Sequence, residues 1–333
     1  MNRTNSLYIV LIFSFITALG FSLYFYNHVQ EYDEKITDMK AFESPLPKYH
    51  IVLIGEEKDH DYWRLVGEGA KEAEVIYDTF VEYEGPKRSN PEEQQKLLDM
   101  AIQSNVDGII VQALNENFKV LINEAVNKGI PVVTIDTDAP DSMRETYIGT
   151  DNYLAGQLAG EALLEDTSGE VNVGVVTGSF QNKHHQLRVE GFKDVIKKED
   201  RVNVVAIEES NILRVESEDK AYQLLNDHKN ITAFYGTSSY DGIGIVAAAK
   251  SLDRLEDLYV IGFDTLDENI ELLKNEELNV VIGQQPFQMG YNSIGIILDI
   301  IKGKTVEDIY YTEVSILRKS DLTASNNKGG TDD

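Results

Sequence analysis

The chain has 333 residues, 42% hydrophobic and 26% charged, which is ordinary for globular protein and long enough for two domains with separate cores. Its formal net charge is −27, and such a surface repels a phosphate backbone, which argues against nucleic acid as a partner. With no cysteine, disulfides, a thiol nucleophile and a lipid-modified N-terminal Cys are excluded.

The stretch from Leu7 to Tyr26 is apolar and aromatic and carries no charge. As a helix it would span about 30 Å, the thickness of a bilayer's hydrocarbon core. Arg3 lies before it and Glu31, Asp33 and Glu34 lie after it. The positive-inside bias then puts the N-terminus in the cytoplasm and the rest outside, on a single-pass signal anchor in the cell membrane. A cleaved signal peptide is the rival reading, since Ala18-Leu-Gly20 has the small-x-small form of a cleavage site. Cleavage there would leave the apolar run from Phe21 to Tyr26 exposed at a mature N-terminus. Val29, Tyr32, Ile36 and Met39 follow a 3-4-3 spacing, which reads as a short stalk helix or as a packing stripe for a partner helix. Ser44-Pro-Leu-Pro47 ends any helix and opens the globular part.

From His50 onward strands and helices alternate. Strands are expected at 51–54, 79–83, 108–111 and 131–135, with helices after the first, from Pro91, and over 115–128. Asp151 or Asn152 caps the next helix, whose stripe runs Leu154, Ala155, Leu158, Ala159, Ala162 and Leu163. A second series has strands at 171–176, 202–207, 231–235, 259–263 and 280–282, with helices between them. Pro286 opens a long helix ending near Gly303, residues 314–317 form a last strand, and the polar tail 320–333 is expected to be disordered. The pattern is α/β throughout, with strands enough for two sheets.

Two segments end alike: Ile130-Pro-Val-Val-Thr-Ile-Asp136 and Leu258-Tyr-Val-Ile-Gly-Phe-Asp264. Short apolar runs alternating with helices are parallel strands buried on both faces, and such sheets bind ligands beyond their carboxyl ends. Two carboxylates at such points predict two similar sheets facing one cleft. Other polar and aromatic groups fall at strand ends: Tyr62 and Trp63, Gln112, Ser238 and Gln284, with Gln186 and Arg188 opening a helix. Carboxylates and amides pair with adjacent hydroxyls, and flat aromatics cover an apolar ring face, so the set suits a neutral polyol such as a sugar.

Catalytic signatures are missing: there is no Gly-x-Ser-x-Gly, no His-Glu-x-x-His and no P-loop. Gly242-Ile-Gly244-Ile-Val-Ala247 matches a dinucleotide pattern loosely, but four residues separate it from its strand, so helix packing is the better reading. His184 and His185 are adjacent on a helix, do not face one site, and lack a spaced third ligand, so no metal is expected. No cofactor is expected either.

Taken in order, Tyr62-Trp-Arg-Leu-Val-Gly-Glu-Gly-Ala70, Gly108-Ile-Ile-Val-Gln112, Gly129 to Asp136, Gly149-Thr-Asp-Asn152, Arg188-Val-Glu-Gly-Phe192, Val260 to Asp264 and Ile282-Gly-Gln-Gln-Pro286 resemble the ribose/galactose-type (type I) periplasmic sugar-binding proteins, from about Tyr49 to Leu317. The resemblance implies two Rossmann-like lobes with parallel sheets joined by a three-segment hinge that closes on a ligand. It implies crossings near 150–152, 263–265 and 284–285. Lobe 1 would comprise 49–150 with 285–313, and lobe 2 would comprise 151–284 with 314–319, behind a cytoplasmic stub and membrane helix at 1–26 and a stalk at 27–48. It implies ligand contacts from Tyr62, Trp63, Gln112, Asp136, Gln186, Arg188, Ser238, Asp264 and Gln284. Gln112 replaces the usual Asn, and Ser238 stands where Asn is common. Thr137 and Gln186 stand where ribose binders carry Arg, which alters the hydroxyls the cleft can satisfy.

The expected function is a membrane-tethered extracytoplasmic solute-binding protein that traps a monosaccharide and signals to a sensor histidine kinase. Delivery of sugar to an ABC permease is the alternative. A LacI-type repressor shares the lobes but needs a helix-turn-helix and a basic face where this chain has an apolar span and acid. An enzyme could use Asp136 and Asp264 as an acid/base pair, yet no substrate-activating partner accompanies them, so a non-enzyme is expected.

Overall fold

The computed structural model describes residues 12, 13, 15–30 and 47–326. The chain divides into two compact units, Met1–Lys48 and Tyr49–Asp333. In the first, helix α1 covers residues 15–30 and carries Phe15, Ile16, Leu19, Leu23, Phe25 and Tyr26, each more than half exposed. A helix apolar all round belongs in an apolar medium or a protein core. No helix among the described residues is long and apolar enough to cross a membrane. Residues 7–11 and 14 of the expected span, and Tyr32, Ile36 and Met39 of the expected stripe, lie outside the described residues.

The second unit begins with β1 (His50–Ile54), α2 (Asp61–Tyr77), β2 (Phe80–Glu84), α3 (Pro91–Gln103), β3 (Gly108–Val111), α4 (Phe118–Asn127), β4 (Val132–Ile135) and β5 (Thr146–Thr150). It continues with α5 (Asn152–Asp166), β6 (Val171–Thr177), α6 (Lys183–Ile196), β7 (Val202–Glu209), α7 (Arg214–Asp227), β8 (Ala233–Gly236), α8 (Asp241–Ser251), β9 (Tyr259–Phe263), α9 (Asp267–Lys274) and β10 (Val280–Gly283). It closes with α10 (Pro286–Ile301), β11 (Ile309–Thr312), β12 (Ser315–Leu317) and α11 (Lys319–Asn326).

Two six-stranded sheets result, ordered β11-β5-β4-β3-β1-β2 and β12-β10-β9-β8-β6-β7. Every pairing is parallel except β10 with β12. β3, β4, β8 and β10 are buried at every residue, as continuous apolar strands covered on both faces must be. Each sheet is the centre of a lobe with core clusters on both faces.

The chain passes between lobes where β5 leads into α5, where β10 leads into α10, and between β11 and β12. The crossing expected at 263–265 is not one of these. Asp264 leads into α9, which packs on α8 and β10 of the same lobe. The expected lobe bounds already changed lobe between 313 and 314, but no crossing was named there, and β5 and β11 were not expected as strands. Thr146-Tyr-Ile-Gly-Thr150 and Ile309-Tyr-Tyr-Thr312 lack a long apolar run, and they pair only with each other and, for β5, with β4. The described part of the tail also differs from expectation, while residues 327–333 lie outside the described residues. Residues 319–326 form a helix whose Asp321 Oδ2 accepts from the Arg318 amide at 2.8 Å, a cap a polar segment can supply, while Leu322 packs on the lobe core.

One packing device recurs beside the cleft. A Cβ on Gly69 or Gly290 would meet the facing helix backbone at 2.0 and 1.9 Å, so α2 and α10 touch main chain to main chain. Gly156 and Gly191 do the same for α5 and α6, at 2.0 and 2.1 Å. These crossings fix α2 and α6, whose first turns face the other lobe. Gly242 and Gly244 serve helix packing too, a Cβ on Gly244 falling 2.6 Å from Ser217 of α7.

Candidate functional site

Asp136 and Asp264 each stand one residue beyond a strand, β4 and β9. Their φ angles are 62° and 67°, the left-handed region that an L side chain enters at some cost. Each amide remains in the sheet ladder, Asp136 N donating to Ile148 O at 3.0 Å and Asp264 N to Ile282 O at 2.8 Å. The left-handed residue therefore turns the chain while the strand end stays anchored. Both carboxylates line one cavity of about 40 Å³ between the lobes, together with Tyr62, Trp63, Arg188, Ser238 and Gln284.

Each carboxylate is held by one amide and by neighbouring hydroxyls, Asp136 Oδ2 also accepting from Thr137 Oγ1 at 3.3 Å. Gln112 Nε2 donates to Asp136 Oδ2 at 2.8 Å and Tyr62 Oη donates to Asp136 Oδ1 at 2.6 Å. Gln284 Nε2 donates to Asp264 Oδ1 at 2.6 Å, and Ser239 Oγ donates to Asp264 Oδ2. Burial raises the Asp264 carboxyl above its ordinary range against the pull of Arg188. Burial, reinforced by the Asp136 charge, holds the Tyr62 phenol protonated far above its usual pKa.

Arg188 is buried, and each of its three nitrogens makes a hydrogen bond. Its Nε donates to Asn152 Oδ1 at 2.8 Å, one terminal nitrogen to Thr237 O at 2.8 Å and the other to Gln284 Oε1 at 3.2 Å, with the guanidinium 3.8 Å from the Phe263 ring centre. Trp63 is 3% exposed and meets Tyr62 edge to face at 5.7 Å.

Polar contacts join the lobes across and beside this cavity. Thr137 Oγ1 meets His184 Nδ1 at 2.8 Å, Asn182 Nδ2 donates to Glu56 Oε1 at 3.0 Å, Tyr240 Oη donates to Asp61 Oδ2 at 3.3 Å, and Thr150 Oγ1 donates to Gln284 Oε1 at 2.6 Å at the hinge. Glu56 also accepts from Ser89 Oγ at 2.6 Å, and burial raises its carboxyl to about 7.

A model of the periplasmic binding protein domain matches residues 51–305. The chain belongs to the periplasmic binding protein family. GanP, a glucose-galactose binding protein from Geobacillus stearothermophilus, is 47% identical with a TM-score of 0.80, the match covering 82% of this chain and 98% of that one. XylFII, solved alone and as a XylFII-LytSN complex, is 38% identical with TM-scores of 0.78 and 0.79, over 82% of this chain and 99% of that one. The ribose import binding protein RbsB of Bacillus subtilis is 26% identical over 207 residues, 62% of this chain and 67% of the relative.

Within this family fold, seven of the nine residues expected as ligand contacts line the cavity: Tyr62, Trp63, Asp136, Arg188, Ser238, Asp264 and Gln284. Gln112 stands behind Asp136 and orients it. Gln186 does not line this cavity: it is exposed, and its amide donates to Phe180 O at 2.7 Å. Helical geometry explains this, because residues 184, 185 and 188 share the inward side of α6 and position 186 points away from it.

The cavity also takes residues the sequence reading missed or dismissed: Glu56, His60, His184, His185 and Ser239. The two histidines were set aside because neighbours on a helix diverge. Both line the cavity because they fall in the first turn of α6, at the cleft wall, with ring centres 4.1 Å apart. Glu56 lies two residues past β1, so the strand-end rule that found Asp136 would have found it. No cluster of three or more metal-ligating side chains occurs among the described residues.

Proposed function

We propose that this protein is a membrane-tethered, extracytoplasmic receptor that traps a monosaccharide between its lobes and reports occupancy to a sensor histidine kinase. The observation that carries the reading is the convergence of Asp136 and Asp264, one from each lobe, on one cavity. Carboxylates accept paired hydrogen bonds from vicinal hydroxyls, and Trp63 and Tyr62 offer flat apolar faces for a sugar ring. A cavity of about 40 Å³ is smaller than a sugar ring, so the ligand is admitted when the lobes part and is enclosed when they close. The glucose-galactose binding by GanP supports a sugar as the ligand. The charge-free run from Leu7 to Tyr26 and the all-round apolar surface of α1 support the tether. The complex formed by XylFII supports a protein partner as the destination of the signal.

Delivery of sugar to an ABC permease is the second reading, favoured by the likeness to a ribose import binding protein. A thermal-shift screen of the full-length chain in detergent against monosaccharides tests ligand class, since a ligand bound only by the folded form raises the melting point. Deleting the gene then separates the two readings. Loss of sugar-dependent transcription with labelled-sugar uptake intact fits sensing; loss of uptake fits delivery. No melting shift with any monosaccharide contradicts both.

A further inference from the structure

One of the contacts that join the lobes is made by a buried acid. Glu56 lies two residues past β1 in lobe 1. Its Oε1 accepts from Ser89 Oγ of its own lobe at 2.6 Å and from Asn182 Nδ2 of lobe 2 at 3.0 Å. Asn182 stands directly before α6, so this bond ties the head of that helix to lobe 1. Parting of the lobes would take Asn182 away and admit water to the carboxyl. Glu56 is therefore a titratable group whose surroundings change with closure.

The closed surroundings suit a protonated acid. No cation answers the carboxyl: Arg188, the one Arg or Lys in the cavity wall, is bonded to Asn152, Thr237 and Gln284, and Arg88 acts on the neighbouring Glu57. Gln112, beyond β3, is a further polar neighbour of Glu56, and Gln112 Oε1 is buried with no donor among the described residues. A carboxyl that carries a proton offers an O–H to such an acceptor, and a carboxylate offers none. Both bonds to Ser89 and Asn182 use Oε1, which leaves Oε2 for the proton. Burial raises the carboxyl to about 7 from an ordinary 4.5 against the bond from Ser89, and the like charge of Asp136 adds to the rise.

Other titratable groups face the same cavity. Burial holds His60, at the head of α2, down to about 4, and holds His184 and His185 of α6 well below their usual value. Any proton these rings carry in the open state is shed on closure, which opposes Glu56. Burial raises Asp264 and, beside Glu56, Glu57. Asp241 is raised by burial to about 6, but its carboxyl bonds to Ser210, Thr237 and Ser238 of its own lobe, so closure leaves those bonds unchanged.

Resting on the sugar-trapping reading, we infer that Glu56 is a proton-linked latch between the lobes. It binds a proton as they close and releases it as they part, so capture of the ligand draws a proton from solvent and is favoured by mild acid. The sign follows from linkage. A carboxyl raised in the closed state favours closure fully below about pH 4.5 and ceases to do so as pH rises through about 7. A receptor outside the cell would thereby read its sugar and the acidity of the medium together.

The test is titration calorimetry on the full-length chain in detergent, with the monosaccharide that shifts the melting point, from about pH 6 to about pH 8. Wild type is compared with Glu56→Gln, which keeps an acceptor for Ser89 and Asn182 but cannot ionise. Every other titrating group is common to the two proteins, so the difference between them isolates Glu56. From pH 6 to pH 8 the wild-type affinity should fall about tenfold more than that of the variant, as a carboxyl moving between about 4.5 and about 7 requires. At pH 7, titrations in buffers of different ionisation enthalpy should show the wild type taking up about half a proton more per sugar. Melting temperature reports whether the variant is folded. If it is not, the sugar-induced infrared difference spectrum of the wild type at pH 7 decides, with a gain in protonated-carboxyl absorption as the expected result. Equal pH dependence in the two folded proteins, or no such gain in that spectrum, overturns the latch alone. No sugar bound by the wild type at any pH overturns the sugar reading, and this inference with it.

Discussion

Asp136 and Asp264 are the same structural device built twice. Both follow a buried strand, both are left-handed at φ 62° and 67°, and both carboxylates accept from one amide and at least one hydroxyl. One belongs to each lobe, so a ligand that satisfies both must hold the lobes together. On the proposed reading, binding and closure are then one event.

Glu56 gives the folded state a pH dependence of known sign. Its carboxyl is raised to about 7 by burial, from 4.5 in water. A raised carboxyl means the folded chain binds the extra proton, so the favourable state is fully present below about pH 4.5 and is lost as pH rises through about 7. Glu56→Gln keeps an acceptor for Ser89 and Asn182 without the charge. The variant should match the wild type at pH 5 and exceed it at pH 8 by roughly 2–3 kcal/mol, several degrees in melting temperature. Melting curves at the two pH values check this, and an equal offset at both would count against it.

Arg188 should prove structural as much as functional. It is 3% exposed, hydrogen-bonds to Asn152, Thr237 and Gln284 and stacks on Phe263. A lysine keeps the positive charge but cannot reproduce the planar fork that bonds Asn152, Thr237 and Gln284 at once. Arg188→Lys should lower stability by about 3–5 kcal/mol, the range for breaking a buried charge network, as read by denaturant unfolding.

Position 186 supplies a control. Gln186 is exposed and bonded to Phe180 O, away from the cavity. Gln186→Ala should leave sugar affinity within about twofold and stability within about 0.5 kcal/mol. A tenfold loss of affinity in calorimetry would return this residue to the site.

Trp63 is the only tryptophan in the chain and lines the cavity, so it reports on the cleft without labelling. Its emission should change when sugar is added, and Trp63→Phe should abolish the change. Trp63 is also part of the lobe 1 core, so truncation to Ala should destabilise by about 3–5 kcal/mol.

Much of the fold is legible in the chain because parallel strands buried on both faces write continuous apolar runs, and such runs end where the ligand site begins. That logic reaches Asp136, Asp264, Gln112 and Gln284. It fails where strands are short and polar, as in β5 and β11. It also fails at α6. Helical spacing correctly groups residues 184 and 188, yet the sequence does not show which side of the first turn faces the cleft. Gln186 was taken and the histidines left out for that reason. His60 is hidden differently, since its capping bond to Tyr62 uses one nitrogen and conceals the free one.

The most direct measurement is calorimetric titration of the full-length chain and its Asp136→Asn and Asp264→Asn variants with the sugar that shifts the melting point. If the two acids grip one ligand from opposite lobes, each variant should lose about 1.5–3 kcal/mol, roughly 10- to 150-fold in affinity. Affinity unchanged in both folded variants would contradict the account.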